Sequence, residues 1–99
     1  MLNEIENLRR IIVATMLRER NLGHAFLREV DLSHANFTMT DLAGADLRYT
    51  NLEYAVFPGA RLTGAALDGA TLNHCNLLGA ELTAEQRAYA KARGAIVDE

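Results

Sequence analysis

A large apolar side chain occurs at every fifth position of this chain, without interruption, from residue 22 to residue 82. Two residues before each lies a small side chain, mostly Ala, and the residue just before it is often Asn or Asp. The exception at a small position is Arg20, where the pattern begins. A helix needs apolar spacings of three and four and a strand needs two, so neither explains a period of five. The pattern predicts a backbone that turns at every unit, with these interior positions: Leu22, Leu27, Leu32, Phe37, Leu42, Leu47, Leu52, Phe57, Leu62, Leu67, Leu72, Leu77 and Leu82.

These units resemble the pentapeptide-repeat family, whose repeat reads A-(D/N)-L-x-x. The segments 35–37, 45–47 and 75–77 show that motif directly, and consecutive units cover residues 20–84. The resemblance implies an all-β solenoid, a right-handed quadrilateral β-helix in which four units form one coil, with about three coils in total. Neighbouring coils would stack at strand spacing, about 4.8 Å, since a single coil buries little surface alone.

With four units per coil, residues twenty apart along the chain become vertical neighbours. Phe37, Phe57 and Leu77 are expected to form one interior ladder, with Cys75 as a small core residue beside it. A reactive thiol is the alternative for Cys75, but free cysteine commonly behaves as a buried apolar side chain. On the outside, one column is expected to hold His34, Tyr54 and His74.

Both ends of a stacked β-helix expose core and unpaired backbone, so each end needs a cover. Residues 85–99 are predicted to form a C-terminal helix and tail: Thr83 and Gln86 read as a capping box, and Gly94 as the helix stop. Residues 1–19 are predicted to be an N-terminal helical cap, with one apolar face of Ile5, Leu8, Ile12 and Met16. A degenerate first coil is the rival, because Ile12 and Leu17 also fall on the five-residue grid. Arg10, at a small inward position, argues against that rival.

Composition narrows the classes of function. The 99 residues carry a net charge near −3 and a single cysteine. A mildly acidic chain without a basic face gives no reason to expect direct nucleic-acid binding. One cysteine forms no internal disulfide, and no apolar stretch approaches membrane-spanning length, so we expect a cytoplasmic protein with no membrane contact.

No catalytic, cofactor-binding or metal-binding motif is present in the sequence. His34 and His74 would stand about 9–10 Å apart at strand spacing, too far for one zinc ion. Apolar residues at outward positions instead suggest a possible interface. We expect it to involve Met39, Val56, Pro58, Leu78, Tyr89 and Ile96.

The sequence therefore predicts a non-catalytic protein-interaction or structural scaffold module with an unknown protein partner, in which a homodimer is possible. The resemblance to pentapeptide-repeat proteins offers an alternative: some members bind or inhibit a type II topoisomerase, DNA gyrase, as DNA mimics. The short rod and mild charge of this chain fit that role poorly.

Overall fold

Parallel β-bridges join residues that lie twenty apart in the chain. The computed structural model of the protein describes residues 17–98, so the predicted N-terminal cap lies almost wholly outside the described residues. A bridge recurs at every fifth residue, and each partner is twenty residues further on, so four units complete one coil of a β-helix-like solenoid. The bridged columns are Asn21–Asp41–Arg61–Glu81, Phe26–Asp46–Ala66, Asp31–Asn51–Thr71 and Asn36–Val56–Asn76–Ile96. Handedness and the number of coils remain predictions.

We name the four sides of the solenoid by their units. Side A contains units 20–24, 40–44 and 60–64 and residues 80–83; side B contains 25–29, 45–49 and 65–69. Side C contains 30–34, 50–54 and 70–74; side D contains 35–39, 55–59 and 75–79. Because the sides follow one another in chain order, side B lies opposite side D.

Each unit is held by a small, repeated set of backbone hydrogen bonds. In unit 30–34 the Leu32 N–H donates to the Asn51 carbonyl of the next coil (2.8 Å), and the His34 N–H donates to the Glu53 carbonyl (2.9 Å). The turn to the next side closes when the Ala35 N–H donates to the Leu32 carbonyl (3.1 Å). Nearly all polar backbone groups of an interior unit are therefore satisfied within the solenoid.

Asn and Asp precede the inward leucine because their side chains complete the turn. Asp31 Oδ1 accepts from the Ser33 N–H at 3.0 Å, and Asn51 Oδ1 accepts from the Glu53 N–H at 3.1 Å. This local bond is the Asx turn, which suits short carboxylate and amide side chains. It explains the D/N position of the motif.

The core is one continuous column of inward side chains. The large residues from Leu32 to Leu77 are buried, while Leu22, Leu27 and Leu82 are half-buried. Phe37 and Phe57 stack inside with ring centroids 4.6 Å apart and planes 8° from parallel. Each fully buried Leu or Phe contributes about 1.5–3 kcal/mol to stability.

Helix α1, Ala84–Ala92, leaves the coil after Leu82 and covers its end. Both halves of the capping box are present: Thr83 Oγ1 accepts from the Gln86 N–H, and Gln86 Oε1 accepts from the Thr83 N–H. Gln86 Nε2 also donates to the Leu62 and Ala65 carbonyls (2.6 and 2.9 Å). Tyr89 Oη accepts from the Gly69 N–H at 2.9 Å. Side chains of α1 thus satisfy some groups that another coil would have paired.

After α1 the chain rejoins the solenoid. The Ile96 N–H donates to the Cys75 carbonyl (2.8 Å), and the Leu77 N–H donates to the Ile96 carbonyl (2.8 Å). Ala95 is buried and Val97 packs against the core, so they occupy the small and large inward positions above Cys75 and Leu77. The tail therefore extends side D by one more rung.

Candidate interaction surface

Charged side chains on sides A and B are largely paired with one another. Arg61 lies between Asp41 and Glu81 in one column, with N–O distances of 3.4 and 3.3 Å. Asp46 accepts from Arg28 at 3.1 Å and from Arg48 at 2.9 Å. These pairs are partly exposed and each stabilises the fold by about 0–1 kcal/mol. They form a mixed-charge surface with no acidic stripe.

Side D differs, because its three units contain no Asp, Glu, Lys or Arg. Its outward positions hold Met39, 62% exposed, and Leu78, 42% exposed. Ile96, on the rung above, is 47% exposed. An apolar, uncharged surface loses little hydration free energy when a partner covers it, and such patches commonly mark interaction sites.

Val56 and Pro58 show how the repeat tolerates apolar residues on side D. In the units below and above, Asn36 Oδ1 accepts from the Thr38 N–H and Asn76 Oδ1 accepts from the Leu78 N–H. Proline has no N–H, so position 56 needs no acceptor side chain. Val56 and Pro58 thus stand where the other units of side D have an Asx turn, and they place two apolar side chains at the middle of that side.

The residues predicted as an interface divide into two groups. Met39, Val56, Pro58 and Leu78 lie on side D, and Ile96 extends its column by pairing with Asn76. Tyr89 lies elsewhere: its hydroxyl reaches Gly69 of side B, and Arg93 packs over its ring with the guanidinium carbon 4.4 Å from the centroid. Tyr89 belongs to the C-terminal cover and does not join the other five.

An aromatic column marks the corner between sides C and D. His34 and Tyr54 stack with centroids 5.1 Å apart, and Tyr54 and His74 stack at 4.9 Å. The vertical order matches the column expected from the period. Stacked rings of this kind stabilise neighbouring coils by about 0.5–1.5 kcal/mol per pair.

Cys75 and His74 do not form a nucleophile–base pair. Cys75 is fully buried, and burial raises the pKa of its thiol from 9.0 to about 12. His74 is exposed and stacks on Tyr54. A neutral buried thiol is a poor nucleophile, so Cys75 acts as a core residue. Within residues 17–98, no group of three or more His, Cys, Asp or Glu side chains could hold a metal ion. No described helix has the length and apolarity needed to cross a membrane.

Comparison with known proteins identifies the repeat. A family model described as pentapeptide repeats matches eight copies in residues 17–48 and 40–79. The chain belongs to the pentapeptide-repeat family. Pentapeptide repeats form non-enzymatic repeat scaffolds, so the coarse function is that of a scaffold. The resemblance drawn from the motif is confirmed.

A solved structure also resembles this pentapeptide-repeat protein. It is the crystal structure of a pentapeptide repeat protein from Nostoc Pcc 7120, with 23% sequence identity and a TM-score of 0.35. The match covers 92% of this chain and 94% of the Nostoc chain. Among curated proteins, none matches the sequence.

Proposed function

We propose that this pentapeptide-repeat protein is a non-catalytic binding module, and that side D packs against an uncharged, apolar surface of a partner protein. The supporting observation is the lack of charge in the three units of side D, which lie between Glu19 below and Asp98 above, together with the exposed apolar side chains Met39, Leu78 and Ile96. Burying an unpaired charge costs several kcal/mol, so the uncharged centre of side D meets an uncharged partner surface at low cost, with the charged residues left at its edges.

A photocrosslinking amino acid at Leu78 tests the proposal in the source cell. The matched position is Thr63 on side A, which occupies the same place in its unit and is also exposed. We expect crosslinked protein from position 78 and none from position 63. Equal crosslinking at both positions, or none at position 78, would contradict the proposal.

A negative charge introduced on side D should then reduce crosslinking to the partner. Met39→Glu introduces an unpaired carboxylate onto side D, and we expect crosslinking from position 78 to fall at least tenfold. Thr63→Glu is the control and should leave it unchanged. Light scattering of the purified protein shows whether the partner is a second copy: a dimer that Met39→Glu dissociates identifies self-association through side D.

The DNA-mimic alternative receives no support from the surface charge. A mimic of the phosphate backbone needs a dense negative surface. Here Arg61 lies between Asp41 and Glu81 on side A, and Arg28 and Arg48 flank Asp46 on side B, so positive charges interrupt the carboxylates on both sides.

A further inference from the structure

A groove of about 220 Å³ lies between α1 and the last unit of side B, residues 65–69. Its walls are Ala65–Asp68 on one side and Glu85, Gln86 and Tyr89 on the other. We call it the rim groove. After Leu82 the chain forms α1 instead of a fourth unit of side B. The upper edge of unit 65–69 therefore faces helix side chains, where the lower units of side B face a bridged strand.

The rim groove contains a backbone donor without an acceptor. In lower coils of side B, the Leu27 N–H donates to the Asp46 carbonyl and the Leu47 N–H to the Ala66 carbonyl, both at 2.9 Å. The equivalent Leu67 N–H has no acceptor among the described residues, although Gln86 and Tyr89 satisfy its neighbours Ala65 and Gly69. A ligand that fills the groove excludes water from this N–H, and an N–H covered without an acceptor costs about 1–3 kcal/mol, so a suitable ligand offers a carbonyl here.

The rim groove also has a charge preference. Asp68 and Glu85 line it, and neither has an ion-pair partner in the described part of the chain, unlike Asp41, Asp46 and Glu81. No basic side chain lines the groove. A ligand that suits both features offers a carbonyl acceptor and a positive charge.

We propose that the rim groove binds an extended, positively charged peptide segment of a partner protein. A backbone carbonyl of the segment accepts from the Leu67 N–H, while the Gln86 and Tyr89 side chains keep their bonds to the Ala65 carbonyl and the Gly69 N–H on either side. An arginine or lysine side chain of the segment pairs with Asp68 and Glu85. Side B lies opposite side D, so this site does not rest on the function proposed above.

Nuclear magnetic resonance of the full chain tests the proposal with a defined probe. The probe is an acetylated, amidated Gly-Arg-Gly peptide at millimolar concentrations, compared with the same peptide carrying neutral citrulline. We expect saturable shifts of the Leu67, Asp68 and Glu85 amide signals with the arginine peptide, and at least fivefold weaker binding of the citrulline peptide. Added salt should weaken binding of the arginine peptide, because salt screens partly exposed charge pairs.

Two readouts separate the acidic pair from the backbone donor. Asp68→Asn combined with Glu85→Gln should weaken binding at least fivefold. Glu53→Gln on side C, another carboxylate with no ion pair among residues 17–98, should not weaken it. Hydrogen exchange at the Leu67 amide should slow severalfold when the peptide saturates the groove. Both sets of variants alter exposed or half-exposed surface side chains, so their spectra should show the same fold.

The proposal is overturned if the citrulline peptide binds as well, if the double variant binds unchanged, or if no signal shifts. It is also overturned if free guanidinium ion reproduces the shifts and the peptide leaves Leu67 exchange unchanged, because the groove would then be a simple cation site.

Discussion

Replacement of Phe57 by alanine tests how much of the stability rests on the stacked interior column. The Phe57 side chain is fully buried and its ring stacks on Phe37 at 4.6 Å. A buried Phe→Ala change costs about 3–5 kcal/mol through lost transfer free energy and the cavity left behind. A domain of this length has a total stability of about 5–15 kcal/mol. Phe57→Ala should therefore remove a large share of it.

Phe57→Leu provides the matched comparison, because Leu77 occupies the next rung of the same column. It keeps most of the apolar volume and should cost less than about 1.5 kcal/mol. Urea unfolding followed by circular dichroism measures both free energies. For Phe57→Ala the melting temperature should fall by about 12–40 °C, at 4–8 °C per kcal/mol.

A double-mutant cycle isolates the contact between the rings. Phe37→Leu, Phe57→Leu and the double variant should show a coupling of about 0.5–1.5 kcal/mol, the value of a stacked aromatic pair beyond its area. The reasoning is refuted if Phe57→Ala costs under 1 kcal/mol, or if leucine and alanine at position 57 destabilise equally. Either result would mean that the interior is not packed around this column.

The remaining predictions concern a buried thiol, the cover and a turn. Burial raises the pKa of Cys75 from 9.0 to about 12, so the unfolded chain loses the thiol proton at lower pH than the folded chain does. The free energy of unfolding should therefore fall between pH 9.0 and about 12, by up to about 1.4 kcal/mol per pH unit. Urea unfolding of Cys75→Ala should lack this contribution to the slope, and an equal slope in both proteins would refute the prediction. Gln86→Ala should lower stability by about 1–3 kcal/mol, because the Leu62 and Ala65 carbonyls and the Thr83 N–H lose their partner. Thermal unfolding measures this loss, which Gln86→Glu should not restore, and a wild-type melting temperature for Gln86→Ala would contradict the prediction. Gly69→Ala and Gly64→Ala both place a Cβ at positive φ, +72° and +79°, but only the first meets the Tyr49 ring, at 2.5 Å. Calorimetry should therefore show that Gly69→Ala loses more stability than Gly64→Ala does, and that this difference disappears when Tyr49 is also replaced by alanine. Equal losses of stability in the two glycine variants would show that only backbone strain matters.

The five-residue period predicts much of the solenoid because it determines both direction and vertical neighbours. The Phe37–Phe57 stack and the His34–Tyr54–His74 column follow from a spacing of twenty, and both are present. The D/N position was recognised as a motif, but its role in closing an Asx turn follows from hydrogen-bond geometry that a pattern alone does not contain.

Of the C-terminal cover, the helix and its Thr83–Gln86 capping box were predicted and are present, whereas the contacts between the cover and the coil were less predictable. Ala95 and Val97 repeat the small and large positions of Cys75 and Leu77 at a spacing of twenty, a signal for the returning rung that the intervening helix obscures. The reach of Gln86 to the Leu62 and Ala65 carbonyls leaves no sequence pattern, since it depends on how α1 lies across the coil. The rim groove arises from that same placement, and no sequence pattern indicates it. The position of Tyr89 in the C-terminal cover, apart from the other predicted interface residues, depends on the same placement of α1.

Glu81 and Ile96 both lie in bridged columns, and the distance between them along the chain is three whole units of five residues. This spacing is kept although α1 takes the place of the units that would form sides B and C between them. The molecule is therefore modular in length. Inserting a full coil of four units between two existing coils would lengthen the rod and leave both ends, all four sides and the rim groove in their relative orientations. Inserting a single unit would instead turn everything beyond it by a quarter revolution. Ile96 would then no longer stand above Asn36 and Val56, and side D would be divided between two different faces.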